Sequence, residues 1–139
     1  MVAAVCSWHE HHGHAVEEIK RRLDRGEKMA VAAPALIEAY VVLTRLPPPH
    51  RLAPADALTL LEANFIKTTK VVALDGKSYR HLLQQVTASG IAGGHTYDAV
   101  IAACGLKAKI TALLTFNESD FSLVSNKTLE IVLPGKERL

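Results

Sequence analysis

Hydrophobic and polar positions alternate along the chain in blocks that predict short strands between helices of about a dozen residues. Short apolar runs predict strands at 28–33, 71–74, 111–115 and 130–133, and residues 1–5 resemble the end of a further strand. Apolar residues three or four apart predict helices over about 13–25, 34–46 and 96–107, with others beginning at Pro54 and Asp75. Because strands that alternate with helices are typical of an α/β protein, we expect a parallel sheet with helices on both faces.

The apolar faces of these predicted helices supply the candidate core. On each helix the apolar side chains recur at the spacing that places them on one side. The core candidates are Ala15, Val16, Ile19, Leu23, Leu36, Ile37, Tyr40, Val41, Leu43, Leu58, Leu60, Leu61, Phe65, Leu82, Leu83 and Val86. The chain has 139 residues, of which 49% are hydrophobic, and this length favours one domain spanning residues 1–139.

Charge and cysteine usage narrow the function classes only slightly. The formal net charge of +2 is too small to indicate nucleic-acid binding by itself. Basic residues gather at 20–25 and at 107–109, where they can form a local patch or simply cover a solvated helix face. The two cysteines, Cys6 and Cys104, have no metal-binding spacing and are typical of free thiols in a reducing cytoplasm. We therefore expect a cytoplasmic protein without a signal peptide or a membrane-spanning segment.

Acidic and amide side chains stand where the predicted strands open into loops or helices. Glu38 follows the strand at 28–33, Asp98 heads an otherwise apolar helix, and Asn117 and Asp120 follow the strand that ends at Thr115. Each has a simpler explanation as helix-terminal charge or as a turn residue. Ligands of parallel sheets bind at the carboxyl ends of the strands, so the convergence of these groups favours an acidic site. Hard oxygen ligands suit Mg²⁺ or Mn²⁺, whose usual chemistry in such sites is phosphodiester hydrolysis.

A second cluster of possible metal ligands is the histidine group at positions 9, 11, 12 and 14. The spacing between His9 and His12, and between His11 and His14, is that of two ligands on one helix face. No cysteine or aspartate nearby completes a zinc set, and Gly13 weakens a helix there. A structural or solvated role is therefore favoured over a metal site built on these histidines.

Four short motifs, in this order, resemble those of the PIN-domain family. They are Pro34-x-x-x-Glu38, Tyr97-Asp98-Ala-x-Ile-Ala-Ala, Leu114-Thr115-x-Asn117-x-x-Asp120-Phe121 and Val132-x-Pro134. The similarity covers nearly the whole chain and is greatest to the VapC-type toxins of bacterial toxin–antitoxin pairs. It implies a Rossmann-like fold with a central parallel sheet of about four to five strands.

The resemblance also implies an activity and a set of site residues. The family consists of endoribonucleases that hydrolyse RNA with Mg²⁺ or Mn²⁺ held by clustered acids. By resemblance, Glu38 matches the second of these acids and Asp98 matches the third. Asn117 or Asp120 matches the fourth position, and Thr115 matches a hydroxyl residue that supports the site. The expected catalytic residues are therefore Glu38, Asp98 and Asp120, and the expected partners are RNA, a cognate antitoxin and a second copy of the chain in a homodimer.

One motif of the family is missing from the numbered chain. The family's first acid ends its first strand, and Met1-Val-Ala-Ala-Val5 resembles the residues just after that acid. Two hypotheses follow from the resemblance. The chain is a metal-dependent ribonuclease whose first acid lies upstream of Met1, or it is a catalytically impaired PIN-like module that binds RNA or a partner protein.

Overall fold

The computed structural model describes residues 1–117 and 129–136, which fall into two compact units, Met1–Val71 and Val72–Leu139. In chain order the helices are α1 (Val2–Val5), α2 (His12–Asp24), α3 (Ala33–Arg45), α4 (Pro54–Leu61), α5 (Gly76–Ala88) and α6 (His95–Lys107). The strands are β1 (Ala30–Ala32), β2 (Lys70–Val72), β3 (Ala112–Leu114) and β4 (Glu130–Val132). A π-helical turn, Glu62–Ile66, continues α4. Helices and strands thus alternate as an α/β protein requires.

Local sequence signals set most helix boundaries in the first unit. Pro34 and Pro54 lie at the starts of α3 and α4, where the missing N–H of proline costs no hydrogen bond. Gly26 follows α2 with a φ of +82°, a conformation that glycine adopts without steric cost. The strands β1 and β2 are neighbours in a two-stranded sheet.

The core of the first unit lies where α1, α3 and α4 meet. Leu43 and Ala57 are fully buried there, and Ala39 is nearly so, because small side chains let α3 and α4 approach closely. The buried cluster comprises Cys6, Val31, Ala39, Leu43, Ala57, Leu61 and Phe65. Burial of these apolar side chains is the main stabilising contribution to this unit.

Several predicted core residues lie on the surface instead. Ile37, Val41 and Leu58 are exposed, as are Val16, Leu23 and Leu83. Helical periodicity shows that a face is apolar, but it does not show how wide a strip the neighbouring elements cover. In α4 the covered strip passes through Ala57, Leu61 and Phe65, which leaves Leu58 in solvent.

In the second unit α5 packs against α6, and β3 pairs with β4. Asp75 caps α5, as its sequence predicts, by accepting a 2.7 Å hydrogen bond from the backbone N–H of Ser78. The strands are parallel, with Leu113 opposite Ile131. One cluster joins Leu82, Val86 and Ala99, and another joins Ala102, Leu113 and Leu129. Buried residues of α6 therefore pack against both α5 and the strands.

Two expectations about the strands differ from the structure or go beyond it. Residues 2–5 form a short helix, so the predicted strand end is wrong. The Cys6 N–H donates to the Val2 carbonyl at 3.0 Å, which satisfies these groups locally without a sheet partner. The described strands make two two-stranded sheets, and a central sheet of four to five strands stays a prediction. Among the described residues, helices are too short or too polar to cross a bilayer.

Candidate active site

Glu38 occupies the second turn of α3 in the first unit. Its side chain faces solvent, while Ala39 and Leu43 on the other side of the helix are held in the core. Burial lowers the pKa of the Met1 amino group, and the negative charge of Glu38 opposes that shift. The Met1 amino group therefore lies near enough to the Glu38 carboxylate for the two charges to interact.

Asp98 lies in the first turn of α6 in the second unit. Its carboxylate is partly buried, and its Oδ2 atom is 3.9 Å from Nδ1 of His95, one helical turn earlier. The next residues of α6 are anchored by the buried Ala99 and Ala102, so the packing fixes the position of the Asp98 backbone. Sequence analysis missed His95, although its spacing of three residues from Asp98 on a predicted helix is a usable signal.

The loop after β3 is shaped by Thr115. Its backbone N–H donates to the Val132 carbonyl at 3.0 Å and extends the pairing with β4 by one residue. Its hydroxyl oxygen accepts a 3.0 Å hydrogen bond from the backbone N–H of Asn117. This local turn holds Asn117 at the surface directly after the strand. Asp120, the other expected ligand in this loop, lies outside the described residues.

The candidate ligands are distributed over both units. Glu38 belongs to the first, and Asp98, Thr115 and Asn117 belong to the second. Within residues 1–117 and 129–136, groups of three or more His, Cys, Asp or Glu side chains able to hold a metal are absent. Carboxylate and amide oxygens are nevertheless the ligand type that Mg²⁺ and Mn²⁺ prefer, so the donor chemistry fits such an ion.

The side chains of His9 and His12 make hydrogen bonds with the backbone. His12 Nδ1 is 2.8 Å from the carbonyl oxygen of Ala3, and since that oxygen only accepts, Nδ1 carries the proton. His9 Nδ1 accepts from the backbone N–H of His11 at 3.1 Å. The His12 bond joins α1 to the start of α2, and the His9 bond lies within the turn between them, so both histidines have structural roles.

Comparison with known proteins identifies the family. The sequence pattern described as PIN domain matches residues 1–127. The chain therefore belongs to the PIN-domain family, which confirms the resemblance seen in its motifs and in its α/β organisation.

Its relatives include VapC proteins of Mycobacterium tuberculosis. Ribonuclease VapC40, from strains CDC 1551 / Oshkosh and ATCC 25618 / H37Rv, is 43% identical over 101 residues, which are 73% of this chain and 69% of the relative. Ribonuclease VapC27 of strain ATCC 25618 / H37Rv is 41% identical over 73 residues, which are 52% of this chain and 51% of the relative. The similarity to VapC-type proteins is thus confirmed.

Proposed function

We propose that this protein is a metal-dependent endoribonuclease, the toxin of a VapBC-type toxin–antitoxin pair. The observation that carries the proposal is the 43% identity to Ribonuclease VapC40, within a chain that the PIN-domain pattern matches over residues 1–127. Its substrate is RNA, whose phosphodiester bonds it hydrolyses. Its partners are a cognate antitoxin and a second copy of itself, and it acts in the cytoplasm as one domain built on a parallel sheet of four to five strands.

The proposed metal ligands are Glu38, Asp98, Asn117 and Asp120, with Mg²⁺ or Mn²⁺ as the cation. A divalent cation in such a site stabilises negative charge on a phosphate and lowers the pKa of a bound water. The exposed carboxylate of Glu38 and the partly buried carboxylate of Asp98 suit this role because both keep access to solvent. Thr115 supports the loop through its hydrogen bond with the Asn117 backbone.

The alternative is a catalytically impaired PIN-like module that binds RNA or a partner protein. The interaction between Glu38 and the Met1 amino group supports a specific way to separate the two. A residue added before Met1 joins the chain at a nitrogen whose charge Glu38 influences, and we propose that an Asp in such an extension completes the set of acids. A chain that cleaves RNA only with that extension needs the first acid for catalysis.

The test is RNA cleavage with and without Mn²⁺ by the numbered chain, by an extended chain that carries an upstream Asp, and by variants of each. We expect Asp98→Asn and Glu38→Gln to abolish cleavage in whichever form is active. The matched controls are Asp56→Asn and Glu62→Gln, which make the same substitutions at acids of α4 and its π-helical turn, outside the proposed site.

Three results decide between the hypotheses. Mn²⁺-dependent cleavage that only the Asp98 and Glu38 variants lose supports the proposed enzyme. Cleavage that survives Asp98→Asn in both forms refutes the proposed site. RNA binding without cleavage by the numbered and extended forms favours the impaired module.

A further inference from the structure

The only tryptophan of the chain belongs to a cluster of aromatic rings at the surface of the first unit. The Trp8 ring stacks on the imidazole of His50, with centroids 4.2 Å apart and planes inclined by 27°. The ring centroid of His9, the next residue in the chain, is 6.0 Å from that of Trp8. The ring centroid of His11 is in turn 5.6 Å from that of His9. The rings join the turn between α1 and α2 to the connection between α3 and α4.

Trp8 keeps a large part of its surface in water in spite of this stacking. The residue is 45% exposed, which is a large apolar area for a chain in which only 5% of residues are Phe, Trp or Tyr. The His50 stack fixes one side of the indole, so the ring is presented in a defined orientation. A rigid, half-exposed ring is the form in which proteins offer a stacking surface to a nucleic-acid base.

Positive charge accompanies the rings. Arg51 follows His50 directly and is exposed, and its Nε donates to the Leu46 carbonyl at 2.8 Å. Its terminal nitrogens make no hydrogen bond or ion pair with the described residues, so they are available to a phosphate. The same cluster includes an acid, since Oε1 of Glu10 lies 3.5 Å from Nε2 of His11.

We infer that Trp8, supported by His50 and with Arg51 directly after His50 in the chain, forms a stacking site for an unpaired base of single-stranded RNA. The indole takes the base, and the guanidinium of Arg51 takes an adjacent phosphate. This inference rests on the proposed function for its ligand, but it concerns a surface that is made entirely by the first unit and contains none of the proposed metal ligands. It provides affinity for RNA outside the acidic site.

The lone tryptophan makes the site directly observable. A short single-stranded oligoribonucleotide is titrated into the protein in EDTA, which prevents metal-dependent cleavage, and Trp8 fluorescence is followed. We expect quenching by the single strand and much weaker quenching by a duplex of the same sequence, whose bases are already paired and stacked. Binding to the variants is measured by anisotropy of a labelled oligoribonucleotide, because Trp8→Ala has no tryptophan signal.

The variants separate stacking from folding. Trp8→Ala is expected to weaken RNA binding by roughly 5- to 150-fold, the range that loss of one base–aromatic stack produces. Trp8→Phe keeps a ring and is expected to retain most of the affinity. Arg51→Ala should weaken binding at low salt and make the affinity fall less steeply as salt rises, because one phosphate contact is lost. The control is Tyr79→Ala, which removes an exposed ring from α5 and should leave binding unchanged.

Failure of the inference and failure of the proposed function give different results. Unchanged RNA affinity in Trp8→Ala, with a lowered melting temperature, shows that the stack is only structural and overturns the inference even if the protein cleaves RNA. Loss of self-association instead of RNA binding makes the surface a protein interface and also overturns it. Trp8 quenching by single-stranded RNA in a chain that shows no Mn²⁺-dependent cleavage supports the inference while the proposed enzyme fails.

Discussion

Replacing Leu61 by Ala should destabilise the protein far more than the same change at Leu58, one turn earlier in α4. The sequence places both leucines in the core, but Leu61 is 3% exposed and Leu58 is 50% exposed. The two substitutions remove the same atoms from the same helix, and Ala slightly favours a helix in both cases. The difference between them therefore measures tertiary burial alone.

The loss of stability expected for Leu61→Ala follows from the surroundings of Leu61. Its cluster includes Ala39 and Ala57, whose methyl groups cannot swing into a cavity, so the space left by the leucine stays largely empty. Substitutions of buried leucine by alanine cost about 2–5 kcal/mol, and poor collapse of the cavity favours the upper half of that range. At the half-exposed Leu58 the cost should stay below about 1 kcal/mol.

Urea unfolding of the two variants and the unchanged chain provides the assay. Trp8 lies in the same unit as both leucines, so its fluorescence reports the unfolding of that unit directly. Because neither change should alter the surface exposed on unfolding, the dependence of the free energy on urea should be the same in all three proteins. Equal costs at the two positions, or a larger cost at Leu58, would show that the packing of α4 described above is wrong.

The remaining predictions concern a helix cap, an ion-pair network and a close contact. Asp75→Ala should lower the melting temperature in thermal unfolding, and Asp75→Asn should lower it much less, because Asn still caps α5. Hydrogen bonds from Arg21 hold the pKa of Glu18 below its ordinary value of 4.5, so its ion pairs stabilise the fold above that pH and are lost as the pH falls through the folded pKa. Chemical unfolding across this pH range should therefore show that acidification lowers the free energy of unfolding less in Glu18→Gln than in the unchanged chain. A Cβ at position 105 would lie 2.6 Å from Cδ1 and 3.1 Å from Cγ1 of Ile110, so the Ile110 side chain must shift. Gly105→Ala should therefore lower stability slightly in spite of its better helix propensity, and Ile110→Ala in the same chain should relieve the overlap but not the lost burial. A Gly105→Ala variant as stable as the unchanged chain would show that Ile110 moves aside freely.

The sequence predicts which residues belong to the candidate site, but it does not predict whether they come together in space. Glu38 stands out as a lone acid among apolar neighbours and Asp98 as an acid at the head of an apolar helix, and both patterns are visible in the linear chain. The chain's membership of the PIN-domain family is confirmed, and the roles of Glu38 and Asp98 stay predictions. Whether they share one cation depends on contacts between residues far apart in sequence, which no local pattern encodes, and it stays a prediction.

The sequence alone determined where three of the six helices among the described residues begin and end, and where two more begin. The predicted helices 13–25, 34–46 and 96–107 each lie within one residue of α2, α3 and α6 at both ends. Proline, glycine and the capping Asp75 act on the backbone within a few residues, so their effects can be predicted without knowledge of the fold.

Tertiary structure decided which apolar faces are covered and which local conformation wins where propensity is weak. Ile37, Leu58 and Leu83 belong to apolar faces but lie in solvent, because burial depends on the elements that pack against a helix. Residues 2–5 are helical although they read as a strand, since α1 packs against α2 and α3 and the His12 imidazole bonds to the Ala3 carbonyl. The Trp8–His50 stack likewise joins residues 42 positions apart, so only folding brings the two rings together.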